Sequence, residues 1–364
     1  MTFLSAVLLF GFIIFIHELG HFIVAKRFNV KVLKFSIGFG PKVLGRKIGE
    51  TEYVLSAIPL GGYVKMLGED IEDSENMSPQ EIEELRNDPR SFKNQPVSKR
   101  IAIVFAGPLF NLLTAVVIFF GIYIYGIPTL VPVIGEVMPD SPAYKAGLQP
   151  NDKVVMLDNK KINQWGEMTE IIHKSANKPI KVRIIRGEQT LDFTIVPEEK
   201  VIKDLFGEDK KVGLIGIKPT DQTFIVREDP LTALDKSLSK TVEIIYLTLV
   251  GIVKIIQKII PADNIGGPIL IFQMAEKTAS LGIISFLTFT AIISINLGIL
   301  NLLPIPILDG GHIVFFLIEG IIKRPINEKV IIVSQKVGLA LIIALMAFAM
   351  YNDIFRLFGD KITP

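Results

Sequence analysis

The segment His17-Glu18-Leu19-Gly20-His21 carries the side chains best suited to chemistry in this sequence. Residues four apart lie on one face of a helix, so a helix here would place the two imidazoles one turn apart, with the Glu18 carboxylate next to them. That spacing suits two nitrogen ligands of one zinc ion. We therefore expect a metal site built on this helix, with His17 and His21 as ligands.

The segment lies inside an apolar run from Phe3 to Ala25, which is long enough as a helix to cross a bilayer. The alternative interpretation is a pair of helix-packing histidines beside a buried carboxylate. An acidic residue at the centre of a membrane span costs roughly 2.5–3.5 kcal/mol on insertion scales unless it is solvated or paired. The metal site is therefore the favoured interpretation.

A catalytic zinc ion usually has three protein ligands and a water, so one more ligand is needed. The chain has no cysteine and only four histidines, so an Asp, a Glu or another His must supply it. Asp309 is the leading candidate, because it follows an apolar run that would bring it to the same depth as His17. His312 competes with it, since zinc readily accepts imidazole, whereas His173 lies in a polar segment and is expected at the surface.

The sequence around Asp309 also favours a carboxylate that turns inward. Pro304 and Pro306 are incompatible with a regular helix, and Gly310 and Gly311 allow a tight backbone. Asp309 is thus predicted to project from an irregular segment.

Composition places the chain in a membrane. Hydrophobic residues make up 49% of its 364 residues, and the mean hydropathy is +0.46, values unusual for a water-soluble protein. The formal net charge of +2 gives no large basic field, which excludes a nucleic-acid binder that depends on one. The absence of cysteine excludes disulfides, thiolate catalysis and cysteine metal sites.

Four apolar runs are predicted to span the membrane. They are residues 3–25, 101–126, 281–303 and 330–349. Lysine and arginine flank them in a pattern that puts both termini outside and the end of the first span in the cytoplasm. The run from Thr241 to Ile260 is interrupted by charges that leave one polar face, so we expect an amphipathic helix at the membrane surface.

Three further segments are expected to lie outside the spans. Residues 127–200 alternate short β-type runs with turns, which predicts a small β-rich domain. Residues 31–66 contain many glycines and β-branched or aromatic residues, which favours hairpins that line a cavity, because irregular backbone in a membrane needs protein or water around it. Residues 68–100 are charged and read as a cytoplasmic loop with one short helix from Pro79 to Arg86, to which we assign no chemistry.

Several stretches together resemble the bacterial site-2 proteases of the regulator of sigma-E protease group. These stretches are HELGH at 17–21, GFGP at 38–41, PLGGYVKM at 59–66, GPLFN at 107–111 and NLLPIPILDGGH at 301–312. The resemblance covers nearly the whole chain. The pattern PDSPAYKAGLQPNDKV at 139–154 is similar to a bacterial PDZ domain, which would hold a peptide terminus or act only as a steric shield. Relatives with two PDZ domains exist, but this chain has room for one.

The resemblance implies an intramembrane zinc metalloprotease. It makes His17, His21 and Asp309 the Zn²⁺ ligands and Glu18 the base that accepts a proton from water. Three residues match positions that receive the substrate chain near the metal in the family, namely Asn301, Pro304 and Pro306. The family's membrane-associated β-region, thought to pair with an extended substrate, corresponds to Tyr53, Val54, Leu55, Ser56 and Ala57. Asn111 matches a family motif, and both a functional role and a role in helix packing are open for it.

The resemblance also implies substrates and a location. The substrates would be transmembrane proteins such as anti-sigma factors or remnant signal peptides, cut in regulated intramembrane proteolysis within a bacterial inner membrane. The active site would lie toward the cytoplasm, the PDZ-like domain outside, and lipid around the spans. A non-catalytic PDZ adaptor and a metal transporter are the alternatives.

The predicted fold is a mainly α-helical polytopic membrane protein with a β-hairpin region and one PDZ-like α+β domain. Its parts are residues 1–67 with the first span and the β-region, 68–100 as the loop, 101–126 as the second span, 127–200 as the PDZ-like domain, 201–280 as a connector, and 281–364 with the last two spans.

Overall fold

The computed structural model describes residues 2–68 and 87–362. The short helix expected from Pro79 to Arg86 lies outside these residues. Four of the described helices are long and apolar enough to cross a membrane: Ser5–Arg27, Val97–Tyr125, Ile283–Asn301 and Glu328–Phe358. The prediction of four spanning helices is confirmed by length and composition.

The spanning helices belong to longer elements in places. Helix α1 covers Thr2–Arg27 and helix α2 covers Val97–Tyr125 with Pro108 inside it. Two short helices, α3 (Pro142–Ala146) and α4 (Trp165–Lys174), precede α5 (Pro230–Ile256) and α6 (Pro268–Ser280). Helices α7 (Ile283–Asn301), α8 (Asp309–Ile322) and α9 (Glu328–Ile362) complete the chain.

The chain divides into two compact units. One consists of Met1–Ile122, Ala233–Ile252 and Pro261–Pro364, and we call it the helical unit. The other consists of Tyr123–Thr232 and Val253–Ile260, and we call it the β-rich unit. Within the helical unit, Leu9 and Ile13 of α1 are fully buried in a cluster with Ala275 of α6. Apolar packing between these helices stabilises the first turns of α1.

Strands β1 (Val32–Ile48) and β2 (Thr51–Met66) follow α1 and fold into one mixed sheet. Residues 32–37 pair antiparallel with residues 62–66, and residues 42–48 pair antiparallel with residues 51–56. Residues 34–37 also pair with residues 52–55, and these two segments run parallel, since the residue numbers increase in the same direction along both. The spatial order is therefore 62–66, 32–37, 52–55, 42–48. Gly38 and Gly40, with φ of 89° and 87°, form the bend between the two halves of β1.

This pairing corrects the expectation that all of residues 53–57 are available to pair with an extended substrate. Residues 53–55 hydrogen-bond to neighbours on both sides, so they lie inside the sheet and not at an edge. The segments 62–66 and 42–48 lie at its two edges within the described part of the chain. The sequence pattern identified the strands, but the order of the strands depends on pairing between distant residues.

Charged side chains connect the turn between β1 and β2 to the end of α1. The Glu50 carboxylate accepts a hydrogen bond of 2.8 Å from Lys26 Nζ and another of 3.0 Å from Arg90. The hydrogen bond from Lys26, aided by the nearby positive charges, holds the pKa of Glu50 below its ordinary value. These partly buried contacts position the sheet at the end of the helix that carries both histidines.

The β-rich unit contains ten strands among the described residues. They are β3 (Ile127–Leu130), β4 (Ile134–Val137), β5 (Lys153–Leu157), β6 (Lys160–Lys161), β7 (Ile180–Arg186), β8 (Gln189–Ile195), β9 (Glu198–Lys203), β10 (Asp209–Leu214), β11 (Ile217–Pro219) and β12 (Thr223–Val226). A sheet of order β6-β5-β7-β8 packs with α3 and α4 around a core that includes Ile134, Leu157 and Ile184.

The unit extends beyond the expected boundary at residue 200. Strand β11 pairs with β4, and β12 pairs with β3, so the chain returns to the start of the unit before α5 begins. These pairings join residues some ninety positions apart, which local sequence patterns do not reveal.

Helix α5 is amphipathic, as expected for this part of the chain, but it begins earlier, at Pro230. The Asp229 side chain caps it by accepting hydrogen bonds from the backbone of Leu231 and Thr232. A row of large apolar side chains is exposed along it, including Val242, Tyr246 and Val253. Helices α6 and α8 were not predicted as separate elements, because each is short and continuous with an apolar run.

Candidate metal centre

His17, His21 and Asp309 are brought together by helices far apart in sequence. His17 and His21 lie one turn apart on α1, and Asp309 is the first residue of α8. His17 Nε2 lies 3.2 Å from His21 Nε2 and 3.3 Å from Asp309 Oδ2. His21 Nε2 lies 3.7 Å from Asp309 Oδ1. Potential ligand atoms of three side chains thus lie close together.

The three side chains fit a zinc ion. Two ligands at zinc-bond length and tetrahedral angle lie about 3.4 Å apart, close to the shortest separation between each pair of these side chains. All three ligand atoms lie within 4.8 Å of one another. Asp309 Oδ2 is buried and completes no hydrogen bond with the described residues, even though His17 Nε2 is near. A cation between these atoms would satisfy that carboxylate.

Tight backbone contacts fix Asp309 in this place. A Cβ at position 310 would lie 2.3 Å from the carbonyl oxygens of Leu302 and Leu303, and one at position 311 would lie 2.3 Å from that of Ile305. The loop that contains Pro304 and Pro306 therefore packs directly on the start of α8. Both glycines are required for this contact. The carboxylate projects from the first turn of a helix, whereas the sequence predicted an irregular segment.

An ion pair joins α8 to α2. Arg100 is 7% exposed, and its guanidinium makes two hydrogen bonds, of 3.0 and 2.5 Å, to the Glu319 carboxylate. The same guanidinium lies 4.8 Å from the centre of the Phe316 ring. Bidentate geometry and partial burial make this link stronger than an exposed ion pair. It holds the helix that begins at Asp309 against the helix behind the histidines.

Helix α2 forms the wall behind the imidazoles. His21 Nδ1 lies 2.9 Å from the carbonyl oxygen of Ile103, and His17 Nδ1 lies 3.4 Å from Asn111 Nδ2. A Cβ at position 107 would lie 2.2 Å from His21 Nε2 and 2.8 Å from His17 Cε1. Only glycine leaves room for both rings there.

Glu18 lies beside the metal cluster and against the sheet. Its side chain is half-buried. The backbone amide of Val64 faces its carboxylate, and a Cβ at position 62 would lie 3.1 Å from Glu18 Cγ. Gly62 therefore lets residues 62–66 approach α1 closely. Asn301, at the end of α7, places its amide nitrogen 3.3 Å from His17 Nε2.

Some predicted site residues lie elsewhere. His312 is outside the cluster, with its ring centre 6.4 Å from that of Phe316. His173 lies on α4 in the β-rich unit. Residues 53–55 lie inside the sheet, where Tyr53 packs its ring against Phe22 and Phe35.

Sequence reasoning missed the contributions of Ile103, Gly107 and Val64. Ile103 and Val64 act through backbone atoms, which leave no signal in residue type. Gly107 belongs to the GPLFN stretch at 107–111, but its distance from the histidines along the sequence gave no reason to place it beside them.

Comparison with known proteins adds independent findings. Residues 5–345 match Peptidase family M50. A Campylobacter jejuni protein named as a zinc metalloprotease is 39% identical over 360 residues, covering 99% of this chain and 95% of that protein. The Escherichia coli regulator of sigma-E protease RseP is 31% identical, covering 97% of this chain and 98% of that protein. That alignment extends over 456 positions, so RseP contains insertions relative to this chain.

Among solved structures, the PDZ domain of the SdrC-like protein from Listeria monocytogenes is similar to part of the chain. The identity is 21% and the TM-score 0.20, with 24% of this chain and 86% of that domain covered.

Proposed function

The chain belongs to peptidase family M50 and is a zinc metalloprotease, and on that premise we propose that it hydrolyses peptide bonds within or near transmembrane segments of single-span proteins. One observation carries this proposal. The three candidate ligands and Glu18 lie on helices of a polytopic membrane protein, and two of the ligands and Glu18 are inside a spanning helix. A substrate must therefore present its peptide bond at membrane depth.

His17, His21 and Asp309 are the proposed zinc ligands, and the donor set of two imidazoles and one carboxylate is a catalytic type that leaves a position for water. Zinc bound there supplies a Lewis acid that polarises a carbonyl and lowers the pKa of water. The Glu18 carboxylate accepts the proton of the attacking water and then delivers it to the leaving nitrogen. Its place beside the cluster, held against the amide of Val64, orients it for both transfers.

Asn301, Pro304 and Pro306 are proposed to receive the substrate chain. The Asn301 amide is a hydrogen-bond donor that lies 3.3 Å from His17 Nε2, within reach of a carbonyl oxygen bound at the cluster. Pro304 and Pro306 shape the loop that leads from α7 to Asp309. Each lacks a backbone N–H, so neither donates a hydrogen bond that would compete with other donors for the carbonyl oxygens of the substrate.

A transmembrane substrate must unwind before its backbone can reach the cluster, because a helix keeps its hydrogen bonds internal. Pairing with a sheet edge replaces some of these bonds. The sequence predicts this pairing for residues 53–57, but residues 53–55 are already paired on both sides. Segment 62–66 lies at an edge of the sheet and against Glu18, whereas segment 42–48, at the other edge, lies three strands away, about 14 Å. We therefore propose segment 62–66 as the edge that receives the substrate.

Disulfide cross-linking tests this edge. The chain has no cysteine, so a single introduced one reports alone. In a Glu18→Gln background that leaves substrate uncut, Lys65→Cys is expected to form a disulfide with a substrate carrying one Cys near its cleavage site several-fold more than Leu44→Cys. Leu44 lies on the opposite edge and is 65% exposed, so it controls for accessibility. Equal cross-linking at both positions would exclude segment 62–66 as the receiving edge.

The proposed substrates are single-span membrane proteins such as anti-sigma factors and remnant signal peptides, and the proposed location is a bacterial inner membrane. The metal centre would face the cytoplasm and the β-rich unit the outside, as the lysine and arginine pattern indicates. The β-rich unit has the strand and helix order expected of a PDZ-like domain, and we propose that it binds the terminus of a trimmed substrate or excludes bulky ones.

Membrane proteomics tests the substrate class. Cells that express Glu18→Gln are expected to accumulate single-span fragments that are absent from cells with the wild-type chain, because the fragments remain uncut. Cells that express Glu276→Gln, which changes an exposed carboxylate on α6, serve as the control and should match the wild type. If only soluble proteins accumulate, the proposed substrate class is wrong.

A further inference from the structure

Both candidate histidine ligands contact α2 through the ring nitrogen that faces away from the Asp309 carboxylate. An imidazole that binds a metal through Nε2 carries its proton on Nδ1, so Nδ1–H needs an acceptor. For His21 that acceptor is the carbonyl oxygen of Ile103, at 2.9 Å. For His17 the side-chain amide of Asn111 lies within hydrogen-bond distance of Nδ1.

Asn111 is fully buried, and its amide is incompletely bonded. Its Oδ1 has no hydrogen-bond partner among the described residues, while its Nδ2 lies 3.4 Å from His17 Nδ1. The backbone carbonyl of Asn111 accepts a 2.8 Å hydrogen bond from Ser294 Oγ, which holds this part of α2 against α7. The amide is thus fixed beside His17.

A donor facing Nδ1 suits only a ring that has no proton there. Turning the amide by 180° about its Cβ–Cγ bond exchanges oxygen and nitrogen within the same volume. The acceptor Oδ1 then faces Nδ1. An asparagine can therefore support either ring tautomer, whereas an apolar side chain of the same size supports neither.

We infer that Asn111 is a positioning residue for His17: its Oδ1 accepts the Nδ1–H and so keeps Nε2 available for zinc. This inference rests on the zinc site of the proposed function. A helix-packing role is the competing explanation, and the two make opposite predictions. If Asn111 only packs between helices, Asn111→Leu, which is apolar, should preserve zinc binding better than Asn111→Asp, which places a carboxylate in the core. If Asn111 positions His17, Asn111→Asp should preserve zinc binding better, because it retains an acceptor of the same shape.

The test measures zinc affinity of the purified full chain by competition with a chelator, and the visible spectrum of the Co²⁺ form. We expect Asn111→Leu to bind zinc about 10- to 100-fold more weakly, as is typical when a partner of a metal-binding histidine is lost, and to show an altered Co²⁺ spectrum. Asn111→Asp should stay close to the wild type. Ser294→Ala removes the neighbouring hydrogen bond without touching His17 and should also stay close to the wild type.

The inference is overturned if Asn111→Leu retains wild-type zinc affinity or if Asn111→Leu and Asn111→Asp lower zinc affinity equally. It is also overturned if Ser294→Ala lowers zinc affinity as much as Asn111→Leu does. Asn111→Ala replaces Asn111→Leu in the comparison if the leucine variant is not recovered folded. A wild-type chain that binds no zinc would instead refute the zinc site itself, so the two failures are distinguishable.

Discussion

Replacement of Glu18 by Gln is expected to slow cleavage of a transmembrane reporter by about 100- to 10,000-fold or more, while zinc binding is retained. A glutamine has the same size as glutamate but cannot accept the proton of the attacking water, and general-base catalysis contributes in this range. The measurement is cleavage of a single-span reporter in detergent or liposomes, with zinc determined on the same sample.

Glu276→Gln is the matched control, because it makes the same chemical change on an exposed face of α6. It should cleave at the wild-type rate. A Glu18→Gln variant that still cleaves the reporter would refute the base assignment. The retained zinc in this variant separates the loss of a base from the loss of the metal.

Removal of a candidate ligand is expected to abolish cleavage together with zinc binding. His17→Ala and Asp309→Ala should each weaken zinc binding by more than about 100-fold, since even the loss of an outer partner of a ligand costs 10- to 100-fold. The Asp309 variant also leaves two imidazoles, which is one protein ligand fewer than catalytic zinc sites have. Zinc affinity by chelator competition and reporter cleavage are measured side by side.

His312→Ala is the informative comparison for the third ligand. His312 was the competing candidate in the sequence, and it lies outside the cluster of ligand atoms. We expect this variant to keep zinc. If His312→Ala loses zinc while Asp309→Ala keeps it, the ligand set is His17, His21 and His312, and the geometry of the metal centre is wrong.

The sequence alone predicted those features that depend on local periodicity and length. The four-residue spacing of His17 and His21 puts both on one face of any helix that contains them. The four apolar runs are long enough to span a bilayer wherever they pack. The Asp309 assignment needed more, namely equal depth and a resemblance across the whole chain, because no local pattern connects residues 21 and 309.

The sheet shows where local patterns fail. The glycine and β-branched content of residues 31–66 predicted strands, and the structure has them. Which strand is free to accept a partner depends on the spatial order, and residues 34–37 separate residues 62–66 from residues 52–55. Strand order is decided by hydrogen bonds between distant residues, so the sequence alone did not reveal that residues 53–55 lie inside the sheet.

The sequence by itself determined the chemistry on one helix: the residue types, their spacing and the apolar length that holds them in a membrane. Only the tertiary structure decided what surrounds them. Asn111, Gly107 and the carbonyl of Ile103 form the wall behind the imidazoles because α2 packs against α1 at that height. Packing at this distance is set by the absence of a side chain at position 107 and by hydrogen bonds across the interface, and neither has a periodicity that a sequence can reveal.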